Sequence, residues 1–293
     1  MIRRALALAL TTLVVVVPAA NAATGADYLV SRLTTSGGFA EAGSSSASVG
    51  LTEWTVMALA AAGRKPGLMH RAGGRTPVGY LAANVKSFTD APTIEKAILA
   101  LVAMGRSPDS FAGHNLVTML RSKVDSANGR IGAYSNSTYW GVLAFRAANT
   151  TAPAKAYTYI RNQQLSNGGF GWAPGTGADS NDTAAAMMAL RSISIPCSWA
   201  IYKGGLRYVA SVHNSDNGYS LTIDGASDSQ STAWVVQARN ACSLKNTAAL
   251  GYLHARQLPS GAYNYQKGRT VTPAWVTAQV LPAVNGRHYP IRP

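Results

Sequence analysis

Acid is what this sequence has least of. Only 12 Asp and Glu stand among 293 residues, against 26 Lys and Arg, for a formal net charge of +14. The glutamates are Glu41, Glu53 and Glu95 alone, which leaves little for the two facing carboxylates of a glycosidase. Glu53 and Glu95 each sit near a predicted helix start, where a dipole role accounts for them. Histidine is scarce and scattered singly (His70, His114, His213, His254, His288), and no histidine stands at ligand spacing from either cysteine. No metal site and no cofactor are therefore expected. No run of five like charges and no nucleic-acid module occur, so nucleic acid is not an expected partner. The period-two alternation of strands is missing too.

What is present begins with an export signal. Arg3 and Arg4 precede an apolar core from Ala5 to Val17, and Ala20-Asn21-Ala22 forms a small-residue cleavage site. Residues 1–22 read as a signal peptide, leaving residues 23–293 as a single expected domain. The apolar run is short for a membrane span, and no other follows, so the mature protein is expected to be secreted, extracellular or cell-wall associated, without a transmembrane segment. A basic exported protein points to anionic surroundings, an anionic cell-envelope polymer above all. The two cysteines, Cys197 and Cys242, lie 45 residues apart. In an exported chain they are expected to pair as a disulfide.

That spacing is close to the length of a repeat. The unit reads as a Tyr-led helix, a Gly-aromatic turn, a polar loop, then a Thr-led helix rich in Ala and Leu. Its fullest copy is NGGFGWAPGTGADSNDTAAAMMAL, Asn167 to Leu190. Related units carry Gly37-Gly38-Phe39 before Thr52, Asn128-Gly129-Arg130-Ile131 before Thr138, Asn217-Gly218-Tyr219 before Thr232, and Gly261-Ala262-Tyr263 before Pro273. A further unit with Thr93 lacks the turn. Six two-helix units of this length suit a helical repeat architecture. The Thr-led helices are apolar nearly all round and should be buried. The Tyr-led ones carry Arg161, Arg207 or Arg256 and should face solvent. Inner and outer helical rings follow, an all-α (α/α)6 toroid, with the threonines expected as helix caps. Trp54, Trp140, Trp234 and Trp275 stand two residues beyond the Thr-equivalent position, with Glu95 and Ala185 in the other two units. They either wall a central cavity for an apolar ligand or pack between the rings.

On these motifs the chain resembles the terpenoid-cyclase and protein-prenyltransferase α/α-toroid superfamily, as an exported, bacterial-type member. Gln164-x3-Gly168-x-Phe170 and Gln257-x3-Gly261-x-Tyr263 look like weakened forms of the squalene-cyclase repeat motif, with Phe and Tyr in place of Trp. Asp179 to Ala184, DSNDTA, is similar to that family's Asp-x-Asp-Asp-Thr-Ala acid motif. There the middle Asp protonates an alkene or epoxide; here Asn181 holds that place. The resemblance implies a toroid that binds rather than converts its ligand, either an isoprenoid or other apolar molecule in the central cavity or an anionic envelope polymer outside. The alternative is a small class II terpenoid cyclase acting on an isoprenoid, with Asp179 and Asp182 as the acid. Candidate ligand-lining residues are Trp54, Glu95, Tyr139, Trp140, Asn181, Trp234 and Trp275. The prenyltransferase zinc site has no counterpart, since neither cysteine stands at the start of an inner helix.

Overall fold

A computed structural model describes residues 23–293; the export segment read at residues 1–22 lies outside the described residues. Twelve α-helices follow one another: α1 (Gly25–Ser31), α2 (Val49–Ala61), α3 (Pro77–Ala83), α4 (Ala91–Ala103), α5 (Leu116–Arg121), α6 (Ser135–Ala147), α7 (Ala156–Asn162), α8 (Ser180–Ser192), α9 (Ala200–Ser211), α10 (Ser229–Asn240), α11 (Thr247–His254) and α12 (Pro273–Val284). Each even-numbered helix packs on the next, and α12 returns to α2, so the even helices close a ring. The odd helices lie outside: α3 on α2, α5 on α4, α7 on α6, α9 on α8, α11 on α10 and α12. Helix α1 rests on both α12 and α2 at the seam. This is an all-α toroid. A two-residue antiparallel pair, β1 (Tyr219–Ser220) with β2 (Ser227–Asp228), is the one small departure toward sheet among the described residues.

The ring helices form where the sequence supplies strong helix formers and a cap. Runs such as Ala184 to Leu190 have low helix cost, and all seven are at most 1% exposed. The caps are Ser48, Asp90, Asp179 and Asp228, whose side chains accept from backbone N–H groups of the first turn. The threonines expected to cap do something else. They stand inside the helix, and the Thr hydroxyl accepts the N–H of the residue closing the Gly-aromatic turn. Phe39 bonds Thr52, Phe170 bonds Thr183 and Tyr219 bonds Thr232, each at 2.9 Å. Ile131 bonds Thr138 at 3.0 Å and Tyr263 bonds Thr277 at 2.9 Å. A helix start needs its cap one residue before the helix, and in α2, α4, α8 and α10 that place is already held by Ser48, Asp90, Asp179 and Asp228. The latch also resets the register of the last unit: its Thr is Thr277, not the Pro273 position.

The turn itself is fixed by glycine. Gly168 has φ +89°, and a Cβ there would collide with the Gly204 carbonyl on α9, so the turn needs both the left-handed backbone and the missing side chain. The Gln164 side chain donates to Gly168 O at 2.8 Å and to Ile201 O at 2.7 Å, tying the turn to the next outer helix. Arg161 and Arg207 are exposed as expected. Arg256 instead stacks on Tyr252, 4.2 Å from its ring centre, past the end of α11. The disulfide forms: Cys197 and Cys242, with Cα atoms 6.1 Å apart, join the segments after α8 and α10, two neighbours in the ring.

The seam is closed by a residue 233 positions away. Helix α12 has no side-chain cap from its own chain start; Glu41 accepts from Ala274 N at 2.8 Å and Trp275 N at 3.1 Å through its two oxygens. Elsewhere in the ring a backbone carbonyl of the following loop meets the first turn: Trp172 for Asn136, Leu221 for Ser180 and Tyr265 for Ser229.

Candidate functional site

The axis of the ring is filled with aromatic side chains. Trp54, Trp140 and Trp234, each 4% exposed, form a triangle with ring centres 5.3–5.5 Å apart and planes at 74–84°. These are edge-to-face contacts, the arrangement favoured by the aromatic quadrupole. Tyr289, from the segment after α12, lies against all three at 5.3–5.8 Å and is completely buried. Trp275 reaches Trp54 from three positions into α12, at 6.3 Å. Gln279, two residues beyond the latch Thr277, accepts from Trp234 Nε1 at 3.2 Å. Of the two readings of these tryptophans, cavity wall or packing, Trp54, Trp140 and Trp234 pack on one another and on Tyr289, and Trp275 packs on Trp54.

The acid motif lies where α8 begins. Asp179 caps the helix by accepting from Asp182 N at 2.8 Å. The Asp182 carboxylate accepts from Asn136 Nδ2 at the start of α6. Burial, then the nearby Asp179 charge, pushes the Asp182 carboxyl up to about 8, while the Asn136 bond works the other way. The group is therefore largely protonated near neutral pH. Asn181, the residue before Asp182, is half-buried and accepts from the Ser180 hydroxyl at 3.4 Å. Tyr139 is fully buried, with its ring 5.9 Å from that of Phe170 and its hydroxyl donating to Gly171 O at 3.3 Å. Burial raises it far beyond the ordinary phenol range. Asp182, Asn136 and Tyr139 share one neighbourhood, while Trp54, Trp234 and Trp275 belong to the axis.

A second carboxyl pair stands on α2 and α4. Glu53 and Glu95 are 1% and 0% exposed, and three of their four oxygens are buried without a partner. Burial pushes Glu53 up to about 8 and Glu95 well above the carboxylate range, with the Lys96 charge opposing both shifts. Glu53, Lys96, Trp54 and Trp275 border a small cavity of about 210 Å³.

The largest change from expectation is at the opposite rim, where the even helices end. A cavity of about 390 Å³ is lined by residues following α2 and α4 and by the chain after α12. Its walls carry Arg64, Lys65, Arg106, Arg287 and Arg292, and no acidic side chain. Ala60, Ala103, Met104 and the exposed Leu68 add apolar surface to its lining. None of these residues was expected to matter. The signal was in the sequence, as a Gly-Arg pair after three of the Thr-led helices.

With the fold in view, the comparisons are informative about architecture. An arginine-to-alanine variant of the type II terpene cyclase MstE from Scytonema, solved in complex with geranylgeranyl dihydroxybenzoate, superposes with a TM-score of 0.64 at 13% identity, covering 89% of this chain and 95% of that one. A wild-type glycosidase gives 0.63 at 10% identity over 89% and 94%. The Candida albicans protein geranylgeranyltransferase-I, complexed with GGPP, gives 0.57 at 10% identity over 79% and 82%. The chain has the α/α-toroid fold of terpenoid cyclases and protein prenyltransferases. One fold carrying a cyclase, a glycosidase and a transferase leaves function to the site. No protein-family model matches the chain, and no curated protein matches it in sequence.

Proposed function

We propose that the protein is an exported, non-catalytic binder that holds an anionic envelope polymer on its basic exterior. The observation carrying this reading is the unpaired surface charge. Of the 26 Lys and Arg in the sequence, 24 lie in the described residues, and these form two ion pairs, Arg64–Asp27 at 2.7 Å and Arg256–Asp216 at 3.9 Å. The remaining cations attract polyanions at long range, with a strength set by salt. The filled axis supports the same reading, because an apolar ligand inside the ring would have to displace Tyr289 from three tryptophans. The test is retention of residues 23–293 on immobilised polyphosphate and polyglutamate over a salt gradient. Retention that collapses between roughly 0.05 and 0.5 M salt supports the proposal; retention absent at low salt, or unaffected by salt, overturns it.

A second reading keeps one specific observation in its favour. The Asp182 carboxyl is buried beside Asp179, and burial and that neighbouring charge both raise it, while a type II terpene cyclase shares the fold. Acid-initiated conversion of an isoprenoid through this pair would need the Asp182 proton delivered to an alkene. Incubation with isoprenoid substrates, followed by mass spectrometry of extracted products, reads it directly. Turnover that is lost in Asp182→Asn with the fold intact would establish the cyclase reading; turnover that survives that change would remove the pair from the chemistry.

A further inference from the structure

Three ring helices end in the same way, and they are neighbours. Helix α2 is followed by Gly63-Arg64, α4 by Gly105-Arg106 and α12 by Gly286-Arg287, with glycine φ values of +74°, +69° and +67°. In each, the Arg N–H reaches back to close the last turn: Arg64 to Leu59 O, Arg106 to Leu101 O and Arg287 to Pro282 O, all at 2.9 Å. This is the left-handed glycine stop of a helix, which fixes where the following residue starts. Helices α12, α2 and α4 are consecutive in the ring, so the stop delivers three arginines to one place. They line the 390 Å³ cavity together with Lys65 and Arg292. The other three ring helices have Asn149-Thr150, Ser194-Ile195 and Ser243-Leu244 after them, with no cation at that position.

Cations at helix C-termini complement the dipole, but that role asks for one at every end. Here they are gathered on half the ring, around an apolar lining. Arg64 shares its charge with Asp27, and Arg292 donates to the Arg146 carbonyl. Arg106, Arg287 and Lys65 are exposed and have no acidic partner among the described ion pairs. Guanidinium forks match tetrahedral oxyanions, and the volume falls within the range of ordinary small-molecule sites. Leu68, Ala60 and Met104 offer nothing to a polyanion and a good deal to a hydrocarbon.

We infer that this rim cavity is a binding site for a phosphate monoester carried on an apolar chain, the three Gly-Arg arginines taking the phosphate and the apolar lining taking the chain. The inference rests on the anionic-partner reading above and narrows it to one place and one ligand chemistry.

The experiment is calorimetric titration of residues 23–293 with dodecyl phosphate below its micelle concentration. Inorganic phosphate and dodecanol serve as half-ligands, and Arg106→Glu and Lys267→Glu as variants of equal charge change, one in the cavity and one on an exposed loop. The expected result is saturable one-to-one binding, at least tenfold weaker for either half-ligand, lost at least tenfold in R106E and unchanged in K267E, with both variants melting as the parent. Equal loss in the two variants, inorganic phosphate binding as well as dodecyl phosphate, or no saturable binding overturns the inference. Co-sedimentation of the protein with phosphatidic acid vesicles, abolished in R106E, would assign a bilayer source for the ligand; binding of the monomer without co-sedimentation assigns a soluble one. Polyphosphate retention with no dodecyl phosphate binding would sink the cavity and leave the exterior reading standing. Dodecyl phosphate binding without polymer retention would do the reverse.

Discussion

At the scale of single residues, the interior carboxyls make folding sensitive to pH in an unusual direction. Asp182 and Glu53 are held up to about 8, against ordinary values of 3.8 and 4.5. Below about pH 4 both folded and unfolded chains keep these protons. As pH rises to about 8 the unfolded chain releases them while the folded one does not, so stability falls across that window and levels off above it. Thermal melts from pH 4.5 to 8.5 should show a steady decline in Tm, and Asp182→Asn should make the decline shallower. A parent Tm that climbs over this range would contradict the protonated assignment. The latch threonines predict a different kind of loss. Thr183→Val keeps the shape and removes the acceptor for the buried Phe170 N–H, an uncompensated group costing about 1–3 kcal/mol. The expected Tm drop is several degrees, and no drop would mean that the turn finds another partner.

At the scale of elements, the helices were legible because their chemistry is local. Ala-rich runs and Gly-aromatic turns each declare themselves within a few residues, as in Asn167 to Leu190. The disulfide was legible from the spacing of Cys197 and Cys242. Longer-range relations were not. That Thr52 or Thr183 accepts from a turn rather than capping a helix depends on where the helix begins, with its cap four residues earlier at Ser48 or Asp179. That Glu41 caps α12 depends on a ring closing over 233 positions, which no local pattern encodes. The Gly-Arg stops stood in plain view, but only the ring order shows that three of them are neighbours. The Glu41 bridge gives a direct prediction. Glu41→Ala leaves two N–H groups of α12 without their carboxylate, and should cost about 1–2 kcal/mol. Hydrogen exchange should quicken in Ala274 and Trp275 and in α1 beside them. Unchanged protection there would show that the seam is held by packing alone.

At the scale of the whole molecule, the toroid is solid along its axis because its own C-terminal segment completes the core. Tyr289→Gly should therefore cost about 3–5 kcal/mol, and should open a hole lined by Trp54, Trp140 and Trp234. Added p-cresol, the missing side chain in free form, should restore much of the lost Tm and shift tryptophan emission. A variant that melts like the parent would show the tail to be dispensable. The seam also has a meaning in time. Helix α1 and the Glu41 loop leave the ribosome well before α12 and Tyr289. The contacts that join them span almost the entire chain, and contacts of such separation form late. A polypeptide broken off just after α12 would carry the twelve described helices and lack the piece that fills their middle. The interior is finished only when the segment beyond α12 folds back among the tryptophans.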